Sequence, residues 1–260
     1  MITCKLQGGV GNQMFQIATT YSYAKSVGTS YGFDRHHCHT PNQGNVFNKY
    51  VDNFFKKVNI VPNINDVEIT GRWVEPSFSY FEIPKSNNNY LEGYFQSEKY
   101  FKTHKNDIKD LFSFSDETIK RVSGFLGKLK KPITAVHVRR GDYLKFNDHH
   151  ISCTVDYYKE AIKKIGGGLF VFISDDIGWC SENFKGENIH YSPFTYEIDD
   201  LYLISKCDNQ IIANSSFSWW GAYLCDNNNN NNKVIAPKKW FGVKGPQDTQ
   251  DIYPENWIKL

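Results

Sequence analysis

The hydrophobic pattern changes character near the middle of the chain. In the first part, apolar positions come in short, uneven runs. Ile2–Leu6 reads as a strand, and the apolar spacing after it predicts a helix over about Asn12–Val27. From His36 to Glu98 the chain is rich in aromatics but holds no sustained period, and it reads as loop-rich. YLEGYFQSEKYF (Tyr90–Phe101) predicts a strand entering a helix. A helix is expected over Asp107–Lys130, with Ser115 as a cap and Glu117 near it.

Beyond Lys130-Lys131-Pro132 the pattern becomes regular. ITAVHVRRGDY is a β-branched run ending in charges, as a strand buried on both faces looks when it delivers polar residues at its carboxyl end. A helix over Val155–Ile165, a turn at Gly166–Gly168 and the strand LFVFISDD follow. Ile198–Ser205 reads as a helix, DNQIIANSS as a strand, SFSWWGAYL as a helix start and KVIAPKKW as a further strand. Strands alternating with helices predict an α/β fold with a parallel sheet. Pro132 marks the expected boundary between halves at 1–130 and 131–260. The Asn runs at Asn87–Asn89 and Asn227–Asn232 read as exposed loops.

Composition narrows the function classes. The 260 residues are 40% hydrophobic and 16% aromatic, enough for a substantial core. A formal net charge of +2 gives no support to nucleic acid or an anionic membrane as a bulk partner. The six cysteines are scattered without a C-x-x-C, which fits a reducing compartment. No signal peptide and no membrane-spanning run is expected, so the sequence reads as cytoplasmic, with room for peripheral membrane contact. Adjacent residues rarely converge on one ion, so Arg35-His36-His37-Cys38-His39 reads as a polar loop and not a metal site. Without a G-x-S-x-G elbow, a serine hydrolase is not expected.

Two regions carry candidate chemistry. LQGGVGNQMFQ (Leu6–Gln16) nearly fits G-x-G-x-x-G through Gly9 and Gly11, but the third position is Met14. Asp34 lies near the spacing of a ribose-binding acid, so a nicotinamide-dependent oxidoreductase is one reading. The polar pair Asn12-Gln13 at the helix start can instead cap the helix or face a ligand. In the second half, three strands end in polar clusters: His137-Val138-Arg139-Arg140-Gly141-Asp142, Ser174-Asp175-Asp176 and Asn214-Ser215-Ser216. Ligands of open α/β sheets bind outside the carboxyl ends of strands. Two arginines suit phosphate, and Ser215-Ser216 at a helix start add a positive dipole end. Asp175 and Asp176 are acceptors fit for a sugar hydroxyl or a base edge. Together these predict a nucleoside diphosphate site.

LQGGVGNQMFQ, HVRRGDY, FISDD and IIANSSFSWWGAYL, in that order, resemble the motifs of the α-1,2-fucosyltransferases, glycosyltransferase family 11. The resemblance runs from about residue 4 to about residue 242. It implies a GT-B-like fold of two Rossmann-like halves facing across a cleft, the first on the acceptor side and the second binding the GDP-sugar. It implies GDP-β-L-fucose as donor, inversion at the anomeric carbon, and no metal or other cofactor. The acceptor is expected to be a glycan hydroxyl, often the 2-OH of a terminal galactose. Carried onto this sequence, Arg139 holds the departing β-phosphate and His137 binds the donor. Arg140 orients the phosphate or pairs with Asp142. Asn214, Ser215, Ser216 and Phe217 form the phosphate-proximal turn, Asp175 or Asp176 reads guanine or ribose, and Gly11, Asn12 and Gln13 approach from the first half. Asp142 is the expected base. His36–Glu98 matches no family motif, which leaves the acceptor open. The remaining alternative is a carbohydrate-binding protein without catalysis.

Overall fold

A computed structural model describes residues 1–35, 46–146, 148–225 and 232–260. Arg35 excepted, the candidate metal cluster at residues 36–39 lies outside the described residues, as does all of the second Asn run but Asn232. The chain divides into two compact units, Met1–Ser113 with Asp248–Pro254, and Phe114–Gln247 with Glu255–Leu260.

In the first unit, β1 (Ile2–Cys4) leads into α1 (Val10–Ser26). Then come β2 (Phe33–Asp34), α2 (Val46–Tyr50), β3 (Ile60–Val61), β4 (Arg72–Val74), β5 (Asn89–Glu92) and α3 (Lys105–Leu111). Strands β1, β5 and β4 form a parallel sheet in that order, and β2 pairs with β3. The region read as loop-rich therefore holds three strands and a short helix. Two of its strands, β3 and β4, are two or three residues long, too short to show a period. Aromatic packing gives this region its core: Phe47 stacks on Phe55 at 5.8 Å and Phe54 on Phe112 at 5.9 Å. Each such buried ring contributes roughly 1.5–3 kcal/mol of apolar burial.

The second unit starts with α4 (Asp116–Leu126), whose cap Ser115 accepts from the Thr118 N–H. The single helix expected over Asp107–Lys130 is thus two, broken at Phe112–Ser115 where the cap restarts the chain. There follow β6 (Ile133–Val138), α5 (Val155–Ile165), β7 (Leu169–Ser174), α6 (Ile177–Asn183), β8 (Ile189–Tyr191), α7 (Glu197–Lys206), β9 (Asn209–Ile211), α8 (Ser216–Tyr223), β10 (Val234–Ala236) and β11 (Ile258–Lys259). The sheet is parallel throughout, in the order β11-β10-β9-β6-β7-β8. Renumbered within the unit, this is the doubly wound dinucleotide-fold order, and it reverses between β6 and β9.

Alternation along β6 and β7 explains the two covered faces. Val136, Val138, Phe170 and Phe172 join Tyr158 and Ala161 of α5 and Cys180 of α6. Ile133, Ala135, Val171 and Ile173 join Val122 of α4 and Leu203 and Ile204 of α7. A strand buried on both sides needs apolar side chains at nearly every position, so the one polar ring among them, His137, stands out. Among the described residues no helix is long and apolar enough to cross a membrane, and Cys4, Cys153, Cys180, Cys207 and Cys225 are free thiols.

Candidate active site

Where the strand order of the second unit reverses, the carboxyl ends of β6 and β9 open the crevice in which such sheets bind ligands. The end of β6 delivers His137 to Asp142, and the end of β9 delivers Asn214 to Phe217. Tyr143 joins the two. Its hydroxyl donates to the Asn214 carbonyl at 3.0 Å, and its ring lies 5.5 Å from the Arg139 guanidinium carbon. His137 and Phe217 make a second link, with ring centroids 5.5 Å apart.

The charged side chains are ordered by one another. Arg139 meets Asp142 at 2.6 Å and Asp175 at 3.0 Å. Arg140 meets Asp176 at 3.0 Å and lies 4.2 Å above the Trp179 ring. The pairing expected between Arg140 and Asp142 is therefore corrected. The 3-10 turn Asp142–Leu144 starts three residues after Arg139, which brings the carboxylate onto Arg139 instead. Gly141 sits so close to Asp175 that a Cβ would lie 2.6 Å from its Oδ2, so a side chain here would displace the Asp175 carboxylate. Asp175 also accepts from the Arg140 backbone N–H at 2.9 Å. Asp176 caps α6 through the Trp179 N–H; that bond, then Arg140, holds its carboxyl below the usual range. With its side chain 35% exposed against 18% for Arg140, Arg139 is the more available cation, and its fork keeps further N–H donors beyond those two contacts.

Around the charges lies a drier layer. His137 is buried; burial, then the neighbouring Arg139 charge, lower its pKa to about 3. It is a neutral imidazole at physiological pH, and its Nδ1 has no protein partner. Ser215 is the N-cap residue of α8, yet its hydroxyl caps no backbone N–H. The start of α8 thus presents first-turn N–H groups and the positive dipole end. Asn214 acts differently. Its amide donates to the Ile151 carbonyl at 2.8 Å and to the Trp240 carbonyl at 2.7 Å, fixing the turn before Ser215. Trp219 and Trp220 are fully buried core side chains.

The first unit carries an arrangement of neutral groups. Helix α1 begins at Val10, so Gly11, Asn12 and Gln13 lie within it, with Gly9 before it. Gly8 has φ of +79° and its α-carbon lies against the Asn12 side chain, two reasons for glycine at this position. Gln13 is buried and donates to the Gly8 carbonyl at 3.1 Å. Gln16 accepts from the Gln7 N–H at 2.9 Å and donates to the Gly93 carbonyl at 3.0 Å, tying the loop after β1 to the turn after β5. Gln96 donates to Asn12 Oδ1 at 2.8 Å. Asp34 is buried, and its Oδ2 accepts from the Ile64 N–H at 2.8 Å, so it braces a turn. That use of the acid removes the basis for a dinucleotide reading.

Sequence reasoning did not single out Tyr143, Trp179, Gln16 or Gln96. Tyr143 closes HVRRGDY, and Gln16 is a buried polar residue in an apolar helix; both were visible signals. Trp179 is known only once α6 is in place. Among the described residues no three His, Cys, Asp or Glu side chains form a metal-binding group.

Comparison with known proteins agrees with this geometry. The family model for glycosyl transferase family 11 matches residues 1–260. An α-1,2-colitosyltransferase of Escherichia coli is 30% identical over 100% of this chain and 99% of its own. A galactoside 2-α-L-fucosyltransferase of Caenorhabditis elegans is 27% identical over 100% of this chain and 79% of its own. In fold, the crystal structure of the fucosyltransferase NodZ from Bradyrhizobium superposes with a TM-score of 0.54 at 15% identity, over 85% of this chain and 91% of that one. The architecture is α/β and GT-B-like, and the chain belongs to glycosyl transferase family 11.

Proposed function

We propose that this enzyme moves L-fucose from GDP-β-L-fucose to a glycan hydroxyl, the 2-OH of a terminal galactose, with inversion at the anomeric carbon. The observation that carries the reading is Arg139, a part-exposed cation at the reversal point of a doubly wound sheet, in a chain matched throughout by the family model. In the transition state, charge develops on the β-phosphate oxygen as the glycosyl bond breaks. Arg139 and the start of α8, with Ser215, Ser216 and Phe217, stabilise that charge, a preorganised electrostatic contribution. His137 Nδ1, neutral and unpartnered within the protein, offers the donor a hydrogen bond. Arg140 and Asp176 hold the crevice wall, and Asp175 positions Arg139 while leaving an edge for the nucleoside. Asp142 keeps one carboxylate oxygen outside its contact with Arg139 and receives the proton of the attacking hydroxyl. Gly11, Asn12 and Gln13 shape the opening loop of the first unit toward the substrates. A reducing, cytoplasmic setting belongs to the same reading and is supported by the five free thiols among the described residues.

The colitosyltransferase relative favours a second reading, in which the donor sugar is colitose, fucose without its 3-hydroxyl. Calorimetry with GDP, with and without EDTA, tests the donor site first, and rates with GDP-fucose and GDP-colitose on lactose then separate the sugars. Micromolar GDP binding insensitive to EDTA, with faster turnover of GDP-fucose, is the expected result. Faster turnover of GDP-colitose would replace the donor assignment, and absence of GDP binding would end the transferase reading.

A further inference from the structure

A half-buried carboxylate at the carboxyl end of the first unit's sheet takes no part in the chemistry proposed above. Glu75 follows β4 directly. Its Oε2 accepts from the Tyr94 N–H at 2.9 Å and the Phe95 N–H at 3.0 Å, and its Oε1 accepts from the Tyr100 hydroxyl at 3.1 Å. A carboxylate offers about four lone-pair positions. Oε2 is filled, and Oε1 has one left.

The Tyr100 side chain that binds this oxygen belongs to a continuous string of aromatic rings. Trp73 stacks on Phe95 at 6.0 Å, Phe95 meets Tyr100 edge-on at 5.3 Å, and Tyr80 meets Tyr100 at 4.8 Å. The two inner residues bind Glu75, and the two outer ones, Trp73 and Tyr80, are only half-buried. Tyr94 and Phe81, whose backbone N–H groups go to Glu75 and to the Tyr100 hydroxyl, are each 40% exposed. A hydrogen-bond acceptor bordered by apolar ring faces matches a sugar ring, which presents hydroxyls at its edge and C–H groups on its face. The backbone is held for this: Phe95 has φ of 53°, a left-handed conformation costly for an aromatic residue, and Glu75 secures both N–H groups of that turn.

We propose that the carboxyl end of β4 carries a saccharide subsite, in which Glu75 Oε1 accepts a hydrogen bond from a hydroxyl of the acceptor glycan and the Trp73 and Tyr80 rings border the sugar. The inference rests on the transferase reading and gives its acceptor a place in the first unit. Burial raises the Glu75 carboxyl to about 7. The other ionisable groups acting on it are Tyr100, through its hydroxyl, and the more distant Asp248.

The decisive experiment compares wild type with Glu75→Gln. In the variant, the amide oxygen can keep both backbone N–H bonds while the NH2 group replaces Oε1 and no longer accepts. GDP binding is measured by calorimetry, lactose binding by saturation-transfer NMR, and rates with GDP-fucose and lactose from about pH 5.5 to about pH 8.5. In wild type the KM for lactose should fall as pH rises through about 7, because the carboxylate is the accepting form. In Glu75→Gln that KM should rise about tenfold or more and lose its pH dependence, with GDP affinity unchanged. Should the variant fold poorly, Trp73→Ala keeps the proposal falsifiable: lactose KM rises and the pH dependence stays. A Glu75→Gln enzyme with wild-type lactose KM, or a wild type that binds GDP but shows no lactose signal, overturns the subsite alone. A wild type that binds no GDP removes the transferase reading and the subsite with it.

Discussion

The two units solve the problem of holding a polar site with opposite means. At the carboxyl end of the second unit's sheet, charges hold charges: Arg139 between Asp142 and Asp175, and Arg140 between Asp176 and the Trp179 ring. At the same end of the first unit's sheet, amides do most of the holding, through Gln13, Gln16 and Gln96 bound to Gly8, Gly93 and Asn12, with one carboxylate, Glu75, securing the turn at Tyr94 and Phe95. An ion-paired arginine can exchange one anion for another, so a diphosphate can enter where carboxylates now sit. An amide bound to a neutral carbonyl has no such exchange to make, and it fixes a loop in one position. The contrast assigns ligand charge to the second unit and positional precision to the first.

The largest break of this contrast is Arg139→Ala. It removes the part-exposed cation and leaves Asp142 and Asp175 without their ion-pair partner. Turnover should fall by about a thousandfold, in the range of removing one preorganised donor, and GDP affinity should weaken markedly by calorimetry. Unchanged GDP binding would separate the arginine from the donor. Asp142→Asn should come next. Turnover should fall by roughly a hundredfold or more, while GDP affinity holds or tightens because Arg139 loses a competing anion. A fully active Asn variant would sink Asp142 as the base.

Smaller effects are expected in the first unit. Gln96→Leu removes the bond to Asn12 and should lower turnover by about tenfold, as expected for the loss of one neutral hydrogen bond. Raising salt should weaken GDP binding in wild type, and the Gln96→Leu deficit should not change with it, because the Gln96–Asn12 bond joins two neutral groups that salt does not screen. A salt-dependent Gln96→Leu deficit would show that the division between the units is wrong.

The second unit was legible in sequence because its central strands are long, buried on both faces and closed by polar clusters. Ile133–Val138 and Leu169–Ser174 read as strands from pattern alone, and Val155–Ile165 is a helix at the expected bounds. The family motifs sit at the strand ends that come together. Less could be read in the first unit. β3 and β4 have two or three residues each, and aromatic packing and long-range pairing hold them, not a local period. In the second unit, α6 and β8 were missed for a similar reason. One has seven residues and the other three, too few to show a period. Pairing partners were the hardest part to read: His137, Arg139 and Asp142 were singled out, but that Asp142 meets Arg139 follows from a 3-10 turn that residue types do not announce. Glu75 gave no signal, because its importance lies in bonds to residues 19 to 25 positions away.

The smallest expected effect turns the comparison to stability, since each unit holds a carboxyl that burial raises to about 7: Glu75 in the first and Asp200 in the second. Asp200 accepts from the Ser192 hydroxyl at 2.5 Å and lies beside Asp199, whose own charge is met by Arg121. For a group whose folded pKa lies above its unfolded value, the folded state binds the extra proton. Its stabilising contribution is present below the unfolded value, about 4, and is lost as pH rises through about 7. Asp200→Asn keeps a hydrogen-bonding side chain and cannot ionise. Its melting temperature should match wild type at about pH 4 and below and exceed it by a few degrees near pH 8, with GDP binding unchanged at pH 8. Glu75→Gln should show the same sign, since the amide keeps the Tyr94 and Phe95 bonds, but it should also shift acceptor KM. A melting curve for Asp200→Asn that follows wild type across the whole pH range would mean that Asp200 stays ionised in the fold. In that case its neighbours would supply more compensation than Ser192 alone, and Arg121, already on Asp199, would be the nearest source of that charge.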